Sequence, residues 1–239
     1  MYQTLTFEER GDSAVVTLTR PKINIRQIKE LEQVFDVLED SSPAKVAVIR
    51  GSSSGIDFAD FDPKEALDIH GFNKWEKLVG RLERLAKVTV MAIDGECVGG
   101  AFQMLLACDL RIGRPGVTLS LPEVRHGFLP GMATWRLAKY VGLGHAKRIA
   151  LTGCALSAEE ARTLGILDDV DPDLDAAIAR ALQSLGGPNV VAVTLCRRLL
   201  VESYHEQFED AIGNFLAAQS RAIAQDDFLD TLRRERKPR

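Results

Sequence analysis

The chain has 239 residues, 46% hydrophobic and 27% charged, which supports one sizeable core and excludes a disordered or low-complexity protein. A formal charge of -4 argues against a general polyanion-binding surface, so nucleic acid is not an expected partner. Charged residues interrupt every apolar run before the roughly 20 residues a membrane span needs, so no membrane partner is expected either. The opening MYQTLTFEERGD lacks the basic-then-apolar order of a secretory signal, and a cytoplasmic location is the expectation. Cys97, Cys108, Cys154 and Cys196 are widely spaced and form no CxxC pair, which points to reduced core thiols and to no metal or redox centre.

In chain order, Ala14 to Thr19 reads as a strand after the Gly11-Asp12 turn, with the first residues as its hairpin partner. Ile28, Leu31, Val34, Phe35 and Leu38 recur at helical spacing and predict an amphipathic helix from Ile25 to Glu39. Val46 to Ile49 is a short β-branched strand, followed by the loop Gly51-Ser-Ser-Ser-Gly55. Pro63 to Leu85 is helical by pattern, with Trp75, Leu78, Leu82 and Leu85 on one face and a break near His70-Gly71.

Val88 to Ile93 is an apolar, β-branched run of the kind covered on both faces of a sheet, and Asp94-Gly95 ends it. Gly99-Gly100 then opens Ala101 to Cys108, a helix with no charged face and therefore buried. Its first turn leaves backbone N–H groups without intrahelical acceptors, so its N-terminus is a place where negative charge is stabilised. After Glu123, Pro130-Gly131 precedes a helix through Tyr140, Gly142 to Gly144 separates it from a short helix ending at Gly153, and Ser157 with Glu160 forms an N-cap pair for another. Ile166 to Val170 is the last strand predicted. From Leu174 onward only helices are expected, divided near Gly186-Gly187-Pro188 and near Gln225-Asp226-Asp227, and the basic run Arg233 to Lys237 reads as a solvated helix end.

Two of these units, ending at Gly55-Ile56 and at Gly99-Gly100, are suited to aim one backbone N–H each at a common point, as a developing enolate oxygen requires. Removing one such donor typically costs about 3–4 kcal/mol of transition-state stabilisation. No GxGxxG or GxxxxGK[ST] fingerprint is present, so neither a dinucleotide nor a nucleoside triphosphate is indicated.

Three ordered motifs, AIDGECVGGAFQMLLACDLRI, PEVRHGFLPGMATWRLAKYVG and ALTGCALSAEEARTLGILDDV, resemble the enoyl-CoA hydratase/isomerase (crotonase) family. The resemblance runs from about Ala14 to Asp169 and is densest from Met91 to Val170. It implies an α/β fold, a crotonase-like spiral of ββα turns over residues 1–171, with a C-terminal helical region over 172–239 used in trimerisation. It further implies an acyl-CoA or acyl-carrier-protein substrate, a homotrimer or hexamer, and no cofactor beyond the thioester's own carrier. By motif match, the oxyanion hole falls on the N–H groups of Ile56 and Gly100. WEKLVGRLERL around Trp75 also resembles the small crotonases of dihydroxyphenylglycine assembly.

Hydratases of the family carry two glutamates; the second corresponds to Glu123, and the first position is Gln103 here. An amide takes up and releases no proton at neutral pH, so acid–base work is expected of Glu123, with Gln103 orienting water or substrate. His126, three residues on, is a candidate second proton carrier, and Glu96, Asp60 and Asp62 are further acids that could enter the site. Other departures are Ala101 in place of the family's third glycine, Ser52 to Ser54 where many members carry an aromatic, and the lack of a terminal aromatic after the basic tail. The expected activity is hydration or dehydration of an enoyl thioester in a biosynthetic pathway, through an enolate and one glutamate. Double-bond isomerisation and decarboxylation are alternatives within the family, and a non-catalytic thioester-binding or scaffold subunit is the alternative outside it. Side chains from Pro63 to Leu85 are expected to shape the acyl pocket.

Overall fold

A computed structural model of the chain describes residues 2–57, 69–185 and 190–235. Two compact units divide between Ala179 and Arg180.

The first unit is built on a six-stranded sheet. In spatial order its strands are β1 (Leu5–Arg10), β2 (Ser13–Leu18), β3 (Val46–Arg50), β4 (Val88–Ile93), β6 (Leu110–Gly113) and β9 (Asp169–Val170). Only the β1–β2 hairpin is antiparallel; every later neighbour pairs in parallel. β4 lies at the centre and is buried at all six positions, as its unbroken apolar run requires. A second sheet joins β5 (Glu96–Val98), β7 (Thr118–Ser120) and β8 (Leu156–Ser157).

The two sheets are fed alternately. β4 turns at Asp94-Gly95 into β5, β6 turns through Gly116 into β7, and β3 turns at Gly51 into a segment whose Ser53 bridges Cys97 of β5. Because Cys97 in turn pairs with Leu119 of β7, the residues Ser53, Cys97 and Leu119 form one row across the small sheet. Each strand of the row is the second in a ββ pair.

Helix α1 (Ile25–Asp40) buries Ile28, Leu31, Val34, Phe35 and Leu38 and is capped by Asn24, whose side chain accepts from the Gln27 N–H. Helix α2 (Ile69–Arg84) packs Trp75, Leu78, Val79 and Leu82 into the core and lies against both α1 and the buried helix α3 (Gly100–Ala107). Gly71 lies inside α2, in its first turn, and the residues before Ile69 lie outside the described residues. All eight residues of α3 are buried, which its uncharged sequence required. Helix α4 (Ala133–Thr152) is broken at Gly142, whose φ 72° and ψ 162° are non-helical, into the two helical segments expected there, and ends on a left-handed Gly153. Helix α5 (Ala158–Thr163) opens on the predicted Ser157/Glu160 capping box.

The strand expected over Ile166 to Val170 shrinks to Asp169–Val170. The N–H groups of Ile166 and Leu167 donate to the Ala161 carbonyl near the end of α5, so they are withdrawn from any ladder. Helix α6 (Leu174–Leu185) leaves the first unit. The second contains α7 (Val190–Glu202), α8 (Phe208–Ile223) and α9 (Asp226–Glu235), and Gly186 to Pro188, with Arg236 and Lys237 of the basic run, lies outside the described residues.

Candidate active site

The row through Ser53, Cys97 and Leu119 determines where the site residues fall. Three positions beyond Ser53 and Cys97 come Ile56 and Gly100, and four beyond Leu119 comes Glu123. The three segments leave the small sheet from neighbouring positions.

Ser53 is buried and its hydroxyl both donates to the Gly55 carbonyl (3.2 Å) and accepts from the Gly55 N–H (3.3 Å), so the serines in this loop shape its turn. Gly55 has φ 114°, which only glycine adopts freely. The segment is then anchored by Ile23, whose N–H donates to Gly55 and whose carbonyl accepts from Asp57. Those bonds use the groups flanking Ile56, not the Ile56 N–H. Gly100 is the first residue of α3, where an N–H has no intrahelical acceptor. Ile23 also touches Gly100: its Cδ1 would stand 3.2 Å from a methyl group placed there. Ile23 thus links the two positions.

Glu123 begins a short 3₁₀ helix (Glu123–His126) directly after Pro122 and is buried, 5% exposed. Its carboxylate lies against the turn into α3, where a methyl group at Gly99 would stand 2.6 Å from Oε1. Oε2 is buried with no hydrogen-bond partner. Burial raises the pKa of this carboxyl above its ordinary value, and it prevails over a hydrogen bond from the residue's own N–H and the charge of His126, which act the other way. His126 itself is exposed and reaches Glu123 only through this long-range effect. A carboxyl that is easily protonated, and has an oxygen left for a partner, is suited to exchange a proton with a bound molecule.

Gln103 sits one helical turn beyond Gly99, its N–H donating to the Gly99 carbonyl (2.9 Å). Its amide is held at both ends. The Trp75 indole N–H donates to Oε1 (2.9 Å), and Nε2 donates to Glu76 Oε2 (2.6 Å). The orientation expected of Gln103 is therefore imposed on it by α2. Glu76 is half-buried and its other oxygen accepts the Met132 N–H (3.1 Å), while Gly131, at φ 48°, lets the loop pass directly over it. A side chain at Gly131 would meet both Glu76 and Gln103.

The sequence reading missed Glu76. Of the acids it named instead, Glu96 is exposed at the start of β5, and Asp60 and Asp62 lie outside the described residues. So does the part of the expected acyl-pocket region before Ile69. Among the described residues, no group of three or more His, Cys, Asp or Glu side chains could hold a metal ion, and no helix is long and apolar enough to cross a membrane.

The family model for enoyl-CoA hydratase/isomerase matches residues 8–232. An enoyl-CoA-hydratase of Amycolatopsis orientalis is 32% identical over 199 residues, spanning 83% of this chain and 90% of that one. A short-chain-enoyl-CoA hydratase of Clostridium acetobutylicum is 30% identical over 174 residues, 68% of this chain and 67% of that one. Among solved structures, an enoyl-CoA hydratase from Thermoplasma volcanium superposes with a TM-score of 0.89 at 27% identity, covering 98% of each chain. One from Bacillus anthracis reaches 0.90 at 21% identity over 99% of this chain and 98% of that one, a likeness of fold.

Proposed function

The chain belongs to the enoyl-CoA hydratase/isomerase family, and from that premise we propose that it adds water to, or removes it from, an acyl thioester. The observation that carries this reading is Glu123: a buried carboxyl of raised pKa with one unpartnered oxygen, against the turn that opens α3. The thioester carbonyl oxygen is received by the N–H groups of Ile56 and Gly100. As water's oxygen bonds to the β-carbon, its proton passes to Glu123, and the π pair moves onto the thioester as an enolate. The enolate then takes the proton at the α-carbon. Two oriented donors, one on the segment after β3 and one at the start of a buried helix, stabilise the developing oxyanion because little water competes with them.

The printed names of the relatives favour CoA as the carrier. Self-association through the second unit completes the reading, supported by the exposure of Phe208, Phe215 and Leu216 on α8. The test is turnover of a panel of enoyl and β-hydroxyacyl thioesters. Glu123→Gln should lower kcat by roughly 10²–10⁴-fold with the fold intact. Unchanged turnover in that variant would remove the reading. Double-bond migration or loss of CO₂ without water exchange would favour isomerase or decarboxylase chemistry, and binding without turnover would favour a scaffold.

A further inference from the structure

The geometry points to Glu76 as a second carboxylate of the reaction centre, holding the water that Glu123 deprotonates. This rests on the hydration reading above and specifies which groups handle the water.

Gly99 is the N-cap of α3 and its carbonyl accepts the Gln103 N–H, so the two residues lie one helical turn apart, about 6 Å along the axis. Glu123 Oε1 lies against the first, and Glu76 Oε2 is hydrogen-bonded to the side chain of the second. Two carboxylates thus meet the N-cap and first turn of one helix, delivered from two different elements. A water molecule has two hydrogens, and two acceptors fix its oxygen's lone pairs in direction where one leaves it free to rotate.

The amide at position 103 fits this arrangement better than a carboxylate would. A glutamate there would set two carboxylates within hydrogen-bond reach, and one of them would have to take up a proton. An amide instead donates to Glu76 and accepts from Trp75, and each of these partners can play only one part. The indole N–H is solely a donor and the ionised carboxylate solely an acceptor, so the amide cannot turn over without losing both bonds. Glu76 accepts from Gln103 and Met132, and a carboxylate has about four lone-pair sites, so acceptor capacity remains for water. In the reaction the water O–H bond breaks toward Glu123, the C–O bond forms at the β-carbon, and the α-carbon later takes the proton back from Glu123. Glu76 orients the water and takes none of its protons.

Three variants test this. Glu76→Gln removes the charge. The swap Glu76→Gln with Gln103→Glu restores one carboxylate and can keep every hydrogen bond. In it the carboxylate placed at position 103 would accept from Trp75 and from the amide placed at position 76, and the oxygen of that amide would accept from Met132. Glu123→Gln is the reference. The expected result is a fall in kcat of roughly 10²-fold for Glu76→Gln with KM nearly unchanged, and recovery of most of that loss in the swap. Wild-type kcat in Glu76→Gln beside an inactive Glu123→Gln overturns this inference alone, as does an unrecovered swap whose thermal midpoint matches the wild type. A wild-type protein that hydrates nothing on the panel overturns the hydration reading and this inference with it.

Discussion

Replacing Gly99 with alanine tests the join between the small sheet and α3. Gly99 has φ 58° and ψ -114°, a conformation that a residue with a β-carbon occupies only under strain of about 1–3 kcal/mol. At about 2–4 °C per kcal/mol for a chain of this size, the thermal midpoint should fall by about 2–12 °C. The added methyl would also stand 2.6 Å from Glu123 Oε1, so the carboxylate must retreat by about 1 Å to reach ordinary van der Waals separation. A displacement of that size at a reacting group costs about 10²-fold in rate. Thermal denaturation and steady-state kinetics on an enoyl thioester should therefore move together, with kcat falling and KM holding. A Gly99→Ala protein with wild-type kcat would refute the reasoning, because the methyl cannot be accommodated with Glu123 where it stands.

Two further outcomes follow from the same cluster. Burial raises the Glu123 pKa, so the folded chain holds this proton more tightly than the unfolded one, and the residue's contribution to stability declines as pH rises from the ordinary carboxyl value of 4.5 through the raised native value. Glu123→Gln, neutral at every pH, should be more stable than wild type near neutrality, with the difference closing below that window; a gap that widens on acidification would contradict the burial argument. Trp75→Phe strips the buried Gln103 oxygen of its donor and should destabilise by about 1–3 kcal/mol in denaturant unfolding, whereas a loss under about 0.5 kcal/mol would show that the bond holds nothing in place.

The elements with a strong local signature were legible from sequence. The unbroken apolar run of β4, the uncharged α3 and the Ser157/Glu160 cap each carry their own explanation in a few adjacent residues. Glu123 was legible as a candidate because it sits in a motif with fixed spacing. Glu76 was not, since in α2 it is one polar residue beside a core tryptophan, and nothing local distinguishes it from a solvated charge. Its role depends on α2 packing against α3 and on the loop at Gly131, partners that are 27 and 55 residues away in sequence. The start of the predicted last strand failed for a similar reason: Ile166 and Leu167 are apolar enough for a strand, but the helix before them claims their N–H groups.

The row of Ser53, Cys97 and Leu119 has an evolutionary reading. On the proposed reading the donors at Ile56 and Gly100 are backbone groups, which persist under any side-chain exchange that respects the turns, so point substitution in this part of the chain can retune what is bound without removing them. Length is another matter. Each of these segments turns on one glycine of positive φ, Gly55 or Gly99, so a single residue inserted between Ser53 and Ile56, or between Cys97 and Gly100, would shift that glycine out of the turn it makes. Such a lineage can drift widely in composition while the number of residues from the row to each donor stays fixed.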